Sequence, residues 1–172
     1  MKKHMLTTVG IIALSSCSIG KDVYIASTNT VLRSTNETML PAITPGARLF
    51  VDTMYYSTHS VQRFEIIVVK SPRMSADANG ANPFVVKRVI GLAGERIEIH
   101  RGRIFINRSE LKEPFAIIPD ESDEEFSAFD IPPTNYFLMG DNRPNSEDSR
   151  FWKGYSVDKN SIIGKVTEIR SE

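Results

Sequence analysis

Pro83-Phe84-Val85-Val86-Lys87-Arg88-Val89-Ile90-Gly91 is a short run of β-branched and aromatic residues bounded by proline and glycine. This composition predicts a strand that is buried on at least one face. Because side chains alternate along a strand, Lys87 lies on the same face as Val85 and Val89. One interpretation is an edge-strand lysine that reaches solvent along its stem. The other is a desolvated amine that is neutral near pH 7 and can act as a base.

Many short strand patterns, separated by glycine and proline turns, fill the rest of the chain, which has few helix signals. They predict an all-β fold, an antiparallel barrel or sandwich. Two segments predict irregular structure: residues 27–37, rich in Ser, Thr and Asn, and residues 110–130, whose acidic run at 120–125 indicates a solvated loop. The predicted strands are residues 23–25, 48–56, 63–70, 83–91, 95–100, 103–107, 136–139 and 161–166.

Composition and charge narrow the classes of function. The 172 residues suffice for one domain with a core, and equal numbers of basic and acidic residues, 21 of each, do not indicate a nucleic-acid partner. The three histidines, His4, His59 and His100, lie in neither a Ser-x-Gly elbow nor a metal-ligand spacing. The sequence therefore does not predict a Ser-His-Asp triad or a zinc site, and a hydrolase would need another base, for which Lys87 is the candidate.

The N-terminus has the layout of a secretory signal. A basic start, Met1-Lys2-Lys3-His4, precedes an apolar stretch at 5–14 that is shorter than the ~20 residues of a membrane-spanning helix. The following Leu14-Ser15-Ser16-Cys17 resembles the lipobox of bacterial lipoproteins, which implies cleavage before Cys17 and a lipid on its sulfur. An ordinary signal peptide, or an uncleaved anchor with an incidental cysteine, is the alternative. We expect residues 1–16 to be the signal peptide and residues 17–26 a tether.

Several blocks resemble bacterial type I signal peptidases, the membrane-bound Ser/Lys proteases that remove signal peptides from exported proteins. They occur in the family's order between residues 38 and 166, and the lysine block and the Gly-Asp-Asn-Arg block are the most specific. The matching stretches are Thr38-Met39-Leu40-Pro41-Ala42-Ile43, Arg63-Phe64-Glu65-Ile66-Ile67-Val68-Val69, Lys87-Arg88-Val89-Ile90-Gly91-Leu92-Ala93-Gly94-Glu95, Gly140-Asp141-Asn142-Arg143-Pro144-Asn145-Ser146-Glu147-Asp148-Ser149-Arg150-Phe151-Trp152 and Ile162-Ile163-Gly164-Lys165.

The resemblance implies a role for each matching residue. Thr38 occupies the position of the nucleophile, and Lys87 that of the general base. Ser146 would hold the lysine amine by a hydrogen bond. Asp148 and Arg150 would form an ion pair that supports the loop, a purely structural role that we expect even in an active enzyme.

Three residues beside the chemistry depart from the family pattern. Thr38 replaces a serine, and its methyl group restricts χ1 and crowds the approach to a carbonyl. Glu37 stands where the family tends to have glycine, and its carboxylate could keep Lys87 charged. Asn36 stands where a hydroxyl often completes the oxyanion hole; we predict that its amide serves as a donor there with the backbone N–H of Thr38.

The resemblance implies a membrane-anchored endopeptidase on the extracytoplasmic side that cleaves signal peptides from exported preproteins. An extended substrate would contact Met39 and pair with the strand edge at Val85 and Val86. A hydroxyl–amine dyad needs no metal or organic cofactor, and we expect a monomer anchored in membrane lipid. The core would comprise residues 27–94 and 131–172, with a small hairpin insert at 95–130. The alternative is a catalytically impaired or specialised relative that binds exported peptides or a partner protein.

Overall fold

The structure is a computed structural model that describes residues 24–26, 29–71 and 84–171. The predicted signal peptide, Cys17, most of the tether and residues 72–83 therefore lie outside the described residues. No helix within the described ranges is long and apolar enough to cross a membrane. The elements are β1 Tyr24–Ala26, β2 Asn29–Arg33, β3 Arg48–Asp52, α1 Tyr55–Thr58, β4 Ile66–Lys70, β5 Phe84–Gly91, β6 Arg96–His100, β7 Arg103–Ile106, β8 Ser109–Glu110, β9 Phe126–Asp130, β10 Asn135–Met139, β11 Val157–Asp158 and β12 Ile162–Arg170.

The strands form two antiparallel sheets, which confirms the predicted all-β fold. The larger sheet has the order β1-β2-β3-β12-β4-β5-β10-β11. The smaller sheet, in the order β8-β7-β6-β9, is built entirely from residues that follow β5 and precede β10. The chain thus leaves the larger sheet after the lysine strand, forms the smaller sheet, and returns in the strand next to it.

Three local predictions are wrong, two of them because strand pairing outweighs the local sequence. Asn29–Arg33, expected to be irregular, pairs over its full length with β3. The strand predicted for 48–56 ends at Asp52, whose side chain accepts the backbone N–H of Met54 at the start of α1. Part of the predicted loop at 110–130 forms β9, which pairs with β6 across a register shift. The first strand, β1, overlaps the strand predicted for residues 23–25.

The lysine strand β5 lies where three hydrophobic clusters meet. Val86 packs against the cluster around Leu49, Ile90 belongs to the cluster that joins the two sheets, and Val89 belongs to the cluster around Trp152. Each fully buried side chain of this kind stabilises the fold by about 1.5–3 kcal/mol. The strand that carries the candidate base is therefore held from several directions.

The two edges of β5 are not equally occupied. On one edge β4 pairs with it from Phe84 to Arg88. On the other edge β10 pairs only with Arg88, Val89 and Gly91. Lys87 therefore lies within the sheet, but the half of β5 that precedes it has one edge with no strand partner among the described residues.

Candidate active site

The amine of Lys87 is buried inside the fold. The residue is only 2% exposed, so its stem does not carry the charge to solvent and the edge-strand interpretation is wrong. Its Nζ donates a hydrogen bond to Oγ of Ser146, 3.0 Å away and 59 residues further along the chain. The alternation along β5 placed this side chain among valines, and the packing of β10 and the loop after it closed the site around it.

Burial lowers the pKa of Lys87 to about 8, because desolvation disfavours the ammonium form. Asp148 opposes this shift, the positive charge of Arg150 adds to it, and Glu147 and Asp141 oppose it more weakly. A substantial fraction of the amine is therefore neutral near physiological pH. This is the protonation state that a general base requires.

Ser146 and Asp148 fix the direction of the amine. The Ser146 hydroxyl donates to Oδ2 of Asp148 at 2.7 Å, so it can only accept from Lys87. Arg150 donates from Nε and Nη2 to the two carboxylate oxygens of Asp148, both at 2.8 Å. Because Ser146 accepts a hydrogen bond from an N–H of Lys87 and does not donate to its nitrogen, the lone pair of the neutral amine remains available for a proton.

Gly140 begins the loop that carries these residues, and its lack of a side chain is required by the packing. A Cβ at this position would overlap both Oγ of Ser146 and the carbonyl oxygen of Thr38. The backbone N–H of Asn142 also donates to that carbonyl, at 3.1 Å. The segment of Thr38 therefore lies directly against the loop that holds the partner of Lys87.

The side chain of Thr38 is bound by Asn36. Oγ1 of Thr38 donates to Oδ1 of Asn36 at 2.8 Å, and the backbone N–H of Thr38 donates to the same oxygen at 3.2 Å. Asn36 thus acts here as an acceptor, whereas the sequence predicted a donor for an oxyanion hole. The other predicted donor, the Thr38 N–H, is occupied by this amide oxygen.

Glu37 has a smaller influence than its position suggests. Its exposed carboxylate lies 3.5 Å from Nδ2 of Asn145, at the rim of the site. The carboxylates that raise the pKa of Lys87 most strongly are those of Asp148 and Glu147. We therefore place Glu37 at the mouth of the site and not beside the amine.

The three residues predicted to contact substrate meet in one cleft. Met39, Val85 and Val86 line a cavity of about 260 Å³, together with Asn36. The cavity borders the half of β5 whose edge lacks a strand partner among the described residues. Asn36 and Met39, which line this cavity, flank the segment of Thr38 in the chain.

Sequence reasoning missed two carboxylates of the insert. Glu113 accepts from Nη1 of Arg143 at 3.0 Å, and Glu124 accepts from Nη1 of Arg150 at 2.7 Å. Glu124 belongs to the acidic run that was predicted to be a solvated loop. The signal that could have identified Glu124 was Arg150. A buried guanidinium has five N–H donors, and Asp148 alone cannot accept from all of them.

Comparisons with known proteins agree on one family. Residues 3–170 match the family model described as "Signal peptidase, peptidase S26". Signal peptidase I of Leptolyngbya laminosa is 36% identical over 132 residues, which cover 76% of this chain and 63% of that protein. Signal peptidase I of Bacillus caldolyticus is 33% identical over 142 residues, covering 76% and 72%.

A solved structure supports the same assignment. The crystal structure of a signal peptidase I from Enterococcus faecalis matches with a TM-score of 0.52 and 33% identity, covering 63% of this chain and 98% of that one. The chain spans slightly less than two thirds of the length of several curated relatives. It covers 63% of the protein from Leptolyngbya laminosa and 65% of probable signal peptidase I-2 from Synechocystis.

Proposed function

This chain belongs to the signal peptidase family, peptidase S26, and from that premise we propose that it is an endopeptidase that cleaves signal peptides from exported proteins. The observation that carries the proposal is the buried amine of Lys87, whose pKa is lowered to about 8 and whose N–H is held by Ser146. A base of this kind, adjacent to the segment of a hydroxyl residue, is suited to nucleophilic attack on a peptide carbonyl.

In the proposed mechanism, neutral Lys87 takes the proton of the Thr38 hydroxyl. Oγ1 then forms a bond to the carbonyl carbon of the substrate, and the carbonyl π electrons move to its oxygen. When the tetrahedral intermediate collapses, the C–N bond breaks and the Lys87 ammonium returns the proton to the leaving amine. A water molecule, deprotonated by the same amine, hydrolyses the resulting ester.

Asn36 would have to exchange partners during this reaction. Its Oδ1 holds both the hydroxyl and the N–H of Thr38 before substrate binds. Transfer of the hydroxyl proton to Lys87 requires the side chain of Thr38 to leave that oxygen. The N–H of Thr38, once free, and the amide nitrogen of Asn36 would then donate to the oxyanion.

We also propose an extracytoplasmic, lipid-anchored monomer, with exported preproteins as its substrates. The support is the basic start, the short apolar stretch and the lipobox-like Leu14-Ser15-Ser16-Cys17. Mass spectrometry of the mature protein would test this: we expect an N-terminal, lipid-modified Cys17. An N-terminus elsewhere would contradict the anchor.

A cleavage assay on a signal-peptide substrate with small residues before the scissile bond tests the mechanism. The parent is expected to cleave it, and Thr38→Ala and Lys87→Ala should each reduce kcat by roughly 10³-fold or more, because both groups act in the same step. A Lys87→Ala variant that cleaves as fast as the parent would falsify the dyad.

One observation favours a catalytically impaired relative as the second candidate. The Thr38 hydroxyl donates to Asn36, and a threonine has fewer accessible χ1 rotamers than the family's serine. Thr38→Ser separates the two candidates in the same assay. A parent with turnover comparable to Thr38→Ser indicates a working peptidase, and a large gain from a nearly silent parent indicates an impaired one.

A further inference from the structure

The insert that forms the smaller sheet returns to contact the loop 140–150. Glu113 pairs with Arg143, and both side chains are almost fully buried, at 2% and 3% exposure. The backbone of Ile117 donates to the carbonyl of Asp141 and accepts from the N–H of Arg143. Glu124 pairs with Arg150. The insert therefore makes hydrogen bonds or ion pairs with the loop that carries Ser146 at three separate points.

Arg150 occupies the centre of this contact. Its side chain is 4% exposed, and each of its three nitrogens donates at least one hydrogen bond. Nε and Nη2 bind Asp148, and Nη2 also donates to the carbonyl oxygens of Arg143 and Ser146. Nη1 donates to Glu124. The contact with Glu124 is therefore the link from the guanidinium to the insert.

A continuous series of hydrogen bonds connects Glu124 to the amine of Lys87. Glu124 binds Nη1 of Arg150, Arg150 binds Asp148, Asp148 accepts from the Ser146 hydroxyl, and Ser146 accepts from Lys87. Each contact is 3.0 Å or shorter. A displacement of Arg150 would thus move the group that orients the amine.

The smaller sheet in turn holds the segment of Glu124 in place. The N–H of Gly102, in the turn between β6 and β7, donates to the carbonyl of Glu124 at 3.0 Å. The next residue, Glu125, accepts from the N–H of Arg101 at 3.0 Å and contacts His100. A side chain at Gly102 would overlap Ser122, so the close approach of the acidic run to this turn requires glycine.

We propose that Glu124 is a positioning residue: by binding Nη1 of Arg150 it fixes Asp148 and Ser146, and so holds the amine of Lys87 in its working orientation. The acidic run of the insert is then part of the support of the active site. The kinetic consequence rests on the proposed peptidase function, whereas the effect on the order of the Lys87 side chain does not require activity.

A cavity of about 420 Å³ lies beside these residues. It is lined by Glu124, Arg143, Ser146 and Arg150, among others. If Glu124 withdrew, water could enter and bind Nη1, which would solvate the guanidinium but would not hold it in one position. We therefore expect loss of the contact to loosen the site while the protein stays folded.

Two substitutions of Glu124 distinguish the effect of its hydrogen bond to Arg150 from the effect of its negative charge. Glu124→Gln keeps the length and the accepting oxygen but removes the charge. Glu124→Asp keeps the charge but is one methylene shorter, so its carboxylate withdraws from Nη1. The matched control is Glu121→Asp, which shortens an exposed carboxylate of the same acidic run. All are made in the full chain and studied in detergent, with thermal unfolding to verify folding.

The first measurement is the NMR order parameter of the Lys87 side chain at Cε, assigned by comparison with Lys87→Arg. We expect a rigid side chain in the parent, in Glu124→Gln and in Glu121→Asp, and a markedly lower order parameter in Glu124→Asp. Order in Glu124→Asp equal to that of the parent would overturn the proposal. The proposal would also be overturned if the Lys87 side chain were as mobile in Glu124→Gln as in Glu124→Asp, because glutamine retains the accepting oxygen.

The second measurement is steady-state kinetics on the signal-peptide substrate. We expect Glu124→Asp to lower kcat about tenfold with KM within about twofold, and Glu124→Gln and Glu121→Asp to stay near the parent. Unchanged kcat in Glu124→Asp would overturn the proposal. If the parent itself does not cleave, the proposed function fails, and the order parameter alone decides whether Glu124 positions Lys87.

Discussion

The ammonium of a lysine cannot take a proton, so Lys87 is useful only where the fold favours its neutral form. The three largest contributions to the pKa of this side chain are burial, which lowers it; Asp148, which raises it; and Arg150, which lowers it. Burial is the largest, and the pKa falls from 10.5 to about 8. The ion pair of Asp148 and Arg150 brings opposite charges close to the amine, so it supports the loop without restoring the full attraction of a bare carboxylate.

The pH dependence of the proposed cleavage follows from this pKa. Because only the amine accepts the proton, kcat/KM should rise with pH and reach half its maximum near 8, the value of the free enzyme. A lysine in water would place that midpoint near 10.5. The measurement is kcat/KM between about pH 6 and pH 10. A profile that is flat or falls over this range would contradict Lys87 as the base.

At the scale of elements, β5 serves two functions with its two halves. The half after Lys87 pairs with β10 on one edge, while on the other edge Val89 exchanges backbone hydrogen bonds with Phe64 and Glu65. This half carries apolar side chains into the core. The half before it is paired with β4 alone among the described strands. The same strand can therefore hold the base rigidly and present backbone N–H and C=O groups to a peptide beside it.

Substrates with one N-methylated amide would test this pairing. In an antiparallel pair, hydrogen bonds to a given strand occur at alternate residues. Methylation at successive positions before the scissile bond should therefore raise KM by up to about tenfold at every second position, the loss of one hydrogen bond. Methylation at the intervening positions serves as the control. Equal sensitivity at all positions, or at none, would argue against strand addition at β5.

At the scale of the whole molecule, the active site is buried at a cost to stability. Lys87 is 2% exposed, and its folded pKa of about 8 lies below its unfolded value of 10.5. Below the folded pKa both states are protonated, so the fold bears the full penalty of a buried charge. Between the two pKa values the unfolded state binds more protons, so this penalty disappears as pH rises.

Replacing Lys87 with methionine should therefore stabilise the protein while removing its activity. We expect Lys87→Met to raise the free energy of unfolding by about 1–3 kcal/mol at neutral pH, with the gain lost as pH approaches 10.5. Urea unfolding at neutral and alkaline pH measures this. Lys70→Met, at an exposed position of the neighbouring strand, is the control. A Lys87→Met protein less stable than the parent at neutral pH would show that the amine's hydrogen bond outweighs its desolvation.

Local patterns were sufficient for the fold class and for the strand of the candidate base. Alternation of side chains is a property of any strand, so it placed Lys87 on the face of Val85 and Val89 without knowledge of the partners. It failed where pairing is irregular. Phe126 and Phe129 of β9 are three residues apart, and both pack against the core because a register shift interrupts the ladder with β6.

The sequence by itself determined the all-β architecture, the strand of Lys87 and the residues that resemble a Ser/Lys protease site. Only the tertiary structure decided whether Lys87 reaches solvent, whether Asn36 donates or accepts, and whether Glu124 is solvated or paired. The physical reason is that these outcomes depend on hydrogen bonds and desolvation between groups far apart in the chain, such as Lys87 and Ser146, 59 residues apart. Local periodicity states which way a side chain points, but the packing of other segments determines what it meets there.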